Sequence, residues 1–247
     1  METTVHEIAD GIYRVSTFVP AANLPFNQYL ILAEEPMLFH AGHRQLFGQV
    51  SEAVARVIPL RRLRWLTFGH VEADECGAMN RWLQAAPDCQ VVHGATGVLV
   101  SLNDLADRPP RTIADRERME LGGKSNRWIN TPHLPHGWDA GLICEESTST
   151  LFAGDLFTAQ GPAAASTDAD IVSPAIDAEN TFHFTAVTAS TGPVIRTLAD
   201  LDPSALALMH GPAFTGAAPE ALRSLADYYD GLLRRQLTER DDRTWIT

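Results

Sequence analysis

Between Leu66 and Ala78 the chain reads LTFGHVEADECGA, which brings four potential metal ligands, His70, Glu72, Asp74 and Glu75, into six residues. Unpaired carboxylates at the end of a buried strand repel one another unless a cation neutralises them. Metal binding is therefore the chemistry this stretch suggests, against the blander alternative of a solvated acidic loop. An irregular segment leaving a strand can turn alternate side chains toward one point. His70 and Glu72 could then hold one ion while Asp74 reaches a second. Two cations close together need a bridging carboxylate to offset their repulsion. Asp155, in FAGD, is the candidate bridge; taken alone it would read as a capping or turn aspartate. His136 and His210 complete the set.

Other residues weigh less. His133 competes with His136 in the loop TPHLPHGWDAG; His136 is preferred because Gly137 lets the backbone approach a metal closely. His210 follows the apolar run ALALM, where ligation competes with the role of a satisfied buried histidine. His40 and His43, in LFHAGHR, border the site, and His40 suits a supporting role behind a ligand. His93 and His183 read as structural or solvent-facing. Cys76 beside the cluster reads as a small buried cysteine.

The elements that must carry these groups follow from periodicity. Gly11 to Thr17 alternates as a half-buried strand. Val19 to Phe26 reads as a loop. Asn27 to Ala33 and Met37 to His40 flank the turn Glu34-Glu35-Pro36 as a hairpin. Leu46 to Ile58 is an amphipathic helix. Leu63 to Phe68 is a strand that feeds His70, Gly77 to Ala85 a helix, and Gln90 to His93 a short strand. Asp107 to Arg118 belongs at the surface. Arg127 to Asn130 is a strand entering the His136 loop, and Leu142 to Glu146 with Thr150 to Ala153 form a hairpin. Gln160 to Ser173 reads as a flexible loop. Asn180 to Leu198 is helical with an interruption at Gly192-Pro193. Ala205 to Met209 is a buried strand, and Pro219 starts a final helix. His70, His136, Asp155 and His210 each lie just after a strand or in the loop it feeds, so one sheet edge can gather them.

The chain has 247 residues, 45% of them hydrophobic, which suits one large α/β domain or two small ones with a sizeable core. A net charge of −12 argues against nucleic acid or an anionic membrane as a general partner. Three cysteines without a C-x-x-C pair suit a reducing compartment. The N-terminus lacks a signal-peptide pattern, and no apolar run reaches the roughly 18 residues of a spanning helix. A cytoplasmic location is the expectation. The oligomeric state stays open, a homo-oligomer included.

The segments FNQYLILAEEPMLFHAG, GHVEADE, PHGWDAG, FAGDLF and MHGPAF resemble the metallo-β-lactamase fold, most closely its diiron branch of flavodiiron and shorter oxygen-binding diiron proteins. The resemblance covers nearly the whole chain, with H-x-E-x-D its most specific part. It implies a single α/β domain over residues 1–247, an αββα sandwich of the metallo-β-lactamase type with metals at one edge. By position it implies that His70, Glu72 and His136 bind one iron, Asp74 and His210 the other, and Asp155 bridges. Zinc hydrolases of this fold typically carry H-x-H-x-D-H. Glu72 in place of the second histidine shifts preference toward iron or manganese without excluding zinc. Diiron members commonly have a histidine where Glu75 stands; Glu75 either ligates or leaves a coordination position open. The hairpin often ends in an aspartate, where this chain has His40. The chain stops at Thr247, without room for a flavodoxin domain, so no FMN domain is expected in it.

The expected function is binding or reduction of a small diatomic, oxygen or nitric oxide, with electrons from an external flavodoxin- or rubredoxin-like donor. Two alternatives remain open: a dinuclear metal-dependent hydrolase of esters, thioesters or phosphoesters, and a redox or oxygen sensor without turnover.

Overall fold

The computed structural model describes residues 1–241. Residues 242–247 of the expected single domain lie outside the described residues. The first sheet has seven strands in sequence order: β1 (Thr3–Ala9), β2 (Ile12–Val19), β3 (Leu24–Ile31), β4 (Met37–Phe39), β5 (Trp65–Thr67), β6 (Gln90–Gly94) and β7 (Arg111–Ile113). The second contains β8 (Arg118–Glu120), β9 (Ser125–Asn130), β10 (Gly141–Glu145), β11 (Thr150–Gly154), β12 (Ser166–Thr167), β13 (Ala205–Leu208) and β14 (Ala213–Phe214), in the order β12-β14-β13-β11-β10-β9-β8.

Alternation along the strands decides which face goes where. On β3, Tyr29 and Ile31 point into the layer between the sheets, where they join Phe39, Trp128, Ile143 and Phe152. Leu30 points the other way and packs with Val50, Val54 and Trp82. Those three come from α1 (Phe47–Ala55) and α3 (Met79–Ala85), with the short α2 (Ala73–Cys76) between them. Two further short pieces, α4 (Ala95–Gly97) and α5 (Asn103–Leu105), follow β6. The outer face of the second sheet is covered by α6 (Val172–Phe182), α7 (Thr191–Ala199) and α8 (Ala218–Asp241), through residues such as Ala175, Ile195, Leu222 and Leu225. The result is the expected αββα sandwich.

One strand was not foreseen, and three expectations about elements need correction. The first ten residues hold β1, which pairs with β2 in the register Thr3↔Thr17. The segment from Asp107 to Arg118 is not wholly superficial: β7 extends the first sheet beside β6, and Ile113 is buried in the inter-sheet layer. The stretch from Gln160 to Ser173 contains β12, and α6 already begins at Val172. Its start is capped by Asp170, whose Oδ1 accepts from the N–H groups of Val172 and Ser173. Lastly, the helical region is not broken at Gly192-Pro193. Pro193 lies in the first turn of α7, where its missing N–H costs no helical bond. The break falls at residues 183–190, after His183 adopts a left-handed conformation with φ 51°.

Candidate metal centre

Four strand ends deliver the ligands. β5 runs into Gly69-His70, and α2 then presents Asp74 and Glu75. β9 feeds the loop from Thr131 to Ala140. β11 and β13 are parallel neighbours, with Gly154 paired to Leu208, so Asp155 and His210 emerge side by side. The two sheets are joined at this edge, because Gly141 N–H donates to the Gly69 carbonyl at 2.8 Å.

The side chains gather in two groups that share Asp155. His70, Glu72, His136 and Asp155 form the first; Asp74, Asp155 and His210 form the second. Within each, one potential ligand atom per residue lies within 4.8 Å of the others. Glu72 Oε2 is 2.8 Å from both His70 Nε2 and His136 Nε2. Asp155 Oδ2 is 3.8 Å from His70 Nε2 and 3.7 Å from His136 Nε2. Its other oxygen, Oδ1, is 3.3 Å from His210 Nε2, which is 3.2 Å from Asp74 Oδ2.

The surroundings set the ring orientations. His210 Nδ1 donates to the Pro25 carbonyl at 2.9 Å, which leaves Nε2 facing the cluster. The loop around His210 is held from the opposite sheet. Asn27 Nδ2 donates to the carbonyls of Leu208 and Gly211 at 2.7 and 2.8 Å. Tyr29 donates to Leu208 O, and the buried Arg14 donates to Gly211 O. Asp139 accepts from Val71 N–H at 3.0 Å and so ties the His136 loop to the His70 loop. Of these anchors, sequence reasoning missed Arg14, Asn27, Tyr29 and Asp139. A polar pair, Asn27-Gln28, inside an otherwise apolar strand was the available signal.

Burial opposes a charge on His70, but Glu75 and Glu72 outweigh it and push its pKa up to about 12. Burial likewise opposes charge on His210, while Asp155 and Asp74 push it up to about 10. The hydrogen bonds from His136 and His70 hold Glu72 well below the usual carboxylate range. Asp155 Oδ1 is buried and has no hydrogen-bond partner. Because Asp155 belongs to both ligand groups, that oxygen is placed to take a cation. Three imidazole nitrogens and three carboxylates, with Asp155 turned toward both groups, fit two divalent first-row ions, since such a mixed N/O set suits iron, manganese or zinc.

Glu75, an expected ligand, lies outside both groups, as does His133, the less favoured of the two loop histidines. Glu75 belongs to neither group; its carboxylate is fully buried behind His70, 3.2 Å from Nδ1, because consecutive residues of a helical turn face different directions. His133 is exposed, with φ 66°, and belongs to neither group, whereas His136 belongs to the first. His93 is fully buried between Phe68 and Trp128, and His183 is exposed. His43 lines the pocket over the site, with Phe26, Leu24, Phe182 and Phe184. This cavity of about 350 Å3 opens onto Glu72, Asp74, His136, Asp155 and His210.

The sequence profile described as ODP family beta lactamase matches residues 24–211. Putative diflavin flavoprotein A 1 of Nostoc sp. (strain PCC 7120) is 30% identical over 135 residues, covering 53% of this chain and 23% of that protein. The chain thus matches about a quarter of that relative's length. The rubredoxin oxygen:oxidoreductase from Desulfovibrio gigas has the same fold, with a TM-score of 0.80 at 19% identity over 92% of this chain and 62% of that one. A fragment of putative diflavin flavoprotein A 5 from Nostoc sp. PCC 7120 gives a TM-score of 0.77 at 17% identity, covering 97% of this chain and 98% of that one.

Proposed function

This chain belongs to the family described as ODP family beta lactamase, and we propose that it holds two iron ions and binds or reduces a small diatomic, oxygen or nitric oxide. The observation that carries the reading is Asp155, whose two oxygens turn toward the two ligand groups. In this reading His70, Glu72 and His136 hold one ion, Asp74 and His210 the other, and Asp155 both. Bound iron would supply one-electron chemistry at each centre and a position for the diatomic. The protein's own part is to fix the donors and control access. Glu72 draws His70 and His136 together through one oxygen. Asn27 and Pro25 aim His210. Phe26, Phe182 and Phe184 wall the approach with apolar surface, which suits a small uncharged ligand better than water.

Full reduction of oxygen needs external electrons. The name of the Desulfovibrio gigas oxidoreductase joins rubredoxin to oxygen, and the diflavin proteins carry flavin in theirs. A flavodoxin- or rubredoxin-like donor is accordingly part of the proposal. So are a single domain over residues 1–247 and a cytoplasmic setting, supported by three free cysteines and by the lack of a membrane-spanning helix among the described residues.

A second reading is a dinuclear metal-dependent hydrolase, in which the ions activate water. It is favoured by the cavity of about 350 Å3, which exceeds what a diatomic fills. Elemental analysis and an absorption spectrum of aerobically purified protein, followed by reduction and mixing with oxygen, test the choice. Two irons with a visible charge-transfer band that responds to oxygen support the first reading. Two zincs with ester hydrolysis and no oxygen response overturn it.

A further inference from the structure

We propose that Glu75 ligates no metal and instead forms, with His40, a buried positioning pair that fixes His70 for the first centre. This rests on the dinuclear reading above. Both Glu75 and His40 are fully buried. Glu75 Oε2 accepts the main-chain N–H of His70 at 2.8 Å. Its Oε1 lies 3.2 Å from His70 Nδ1 and 3.5 Å from His40 Nε2, a close approach in which neither Oε1 nor His40 Nε2 has a hydrogen-bond partner. The carboxylate therefore sits between two imidazoles and behind the ring it supports.

The His70 ring uses opposite nitrogens for opposite tasks. Nδ1 faces Glu75, while Nε2 faces Glu72 at 2.8 Å. A carboxylate beside Nδ1 favours the tautomer that carries its proton there, which leaves the Nε2 lone pair for a metal. Asp74, the preceding residue on α2, points instead to His210. One helical turn thus sends one acid into the cluster and the next beneath it.

Three further contacts hold the pair. Ala41 N–H and Gly42 N–H donate to the Glu75 carbonyl at 2.6 and 3.2 Å, which ties the segment after His40 to residue 75. His40 Nδ1 lies 3.1 Å from the Asn27 carbonyl, so the ring spans that carbonyl and Glu75. Gly69 leaves the needed space, since a Cβ there would lie 3.0 and 3.1 Å from the two Glu75 oxygens. With Glu75 turned away, the second centre retains Asp74, Asp155 and His210, and the two centres differ in donor number.

The test uses the full chain, labelled with 15N at histidine and loaded with Zn(II) as a diamagnetic probe. Long-range 1H–15N spectra should show His70 bound through Nε2, with a slowly exchanging proton on Nδ1. Glu75→Gln should shift that signal and weaken the affinity for one ion by about 10- to 100-fold in chelator competition. Both ions should still bind at saturation. His40→Gln should shift the same signal, and the double variant should be no weaker than Glu75→Gln alone, because His40 acts through Glu75. Loss of one ion outright in Glu75→Gln, matching Asp74→Ala, would make Glu75 a ligand and overturn the proposal. If Glu75→Gln does not fold, the wild-type spectrum decides: an unprotonated Nδ1 on His70 overturns it equally. Wild-type protein that binds no Zn(II), Fe(II) or Mn(II) instead sinks the dinuclear reading, and this inference with it.

Discussion

Asp155 and His210 leave the ends of two parallel neighbouring strands, and His210 Nε2 lies 3.3 Å from Asp155 Oδ1 while the other Asp155 oxygen faces His70 and His136. One carboxylate is thereby shared between both ligand groups. Asp155→Ala should lose both ions, since two cations without a bridge repel at short range. Asp74→Ala should lose one. Metal-to-protein ratios after desalting measure this; equal loss of one ion in both variants would contradict the shared role.

His136 and His133 differ in placement, not in type. His136 is hydrogen-bonded to Glu72 and His133 is exposed. His136→Ala is expected to lower the bound metal by one ion, and His133→Ala to leave it unchanged. The opposite pattern would assign the ligand to His133.

Asn27 anchors the His210 loop through two carbonyls. Asn27→Ala removes one of the donors from each of two buried carbonyls, at a cost of about 0.5–1.5 kcal/mol per hydrogen bond. Neither carbonyl is left unpaired, because Tyr29 still donates to Leu208 O and Arg14 to Gly211 O. A lower denaturation midpoint together with weaker binding of one ion is expected. A variant that is destabilised yet binds both ions with wild-type affinity would separate Asn27 from the site.

Gly141 packs against the Trp128 ring, and a Cβ there would overlap it. Gly141→Ala should destabilise by about 1–3 kcal/mol through overpacking. At Gly48, in the first turns of α1, nothing lies within 4 Å of such a Cβ. Gly48→Ala should stabilise by about 0.5–1 kcal/mol through helix propensity. Denaturant unfolding of the two variants should move in opposite directions.

Removal of metal should destabilise the fold as well as the site. Ions that bind only the folded chain stabilise it by mass action, so chelation should lower the melting temperature, and added metal should restore it in a concentration-dependent way. A melting curve indifferent to chelator would mean that the ligand groups hold no ion in solution.

Residue types and local spacing determined much of this protein. His70-x-Glu72-x-Asp74 after an apolar strand, Asp155 after TLFAG and His210 after ALALM are readable because strand periodicity and strand ends are local features. The buried hairpins and the amphipathic α1 and α8 were legible for the same reason. β1, β7 and the early start of α6 were not. β7 is three residues long and is a strand only because β6 lies beside it, and α6 follows a stretch of mostly small and polar residues. Gly137 favoured His136 over His133, but the contact that places His136 and the direction of Glu75 lay beyond local pattern. Each depends on contacts between residues distant in the chain: Glu72 with His136, Glu75 with His40, and Asn27 with Gly211 across 184 positions. Sequence spacing states which side chains can ligate; only the packing of one sheet on the other fixes which of them face the same point.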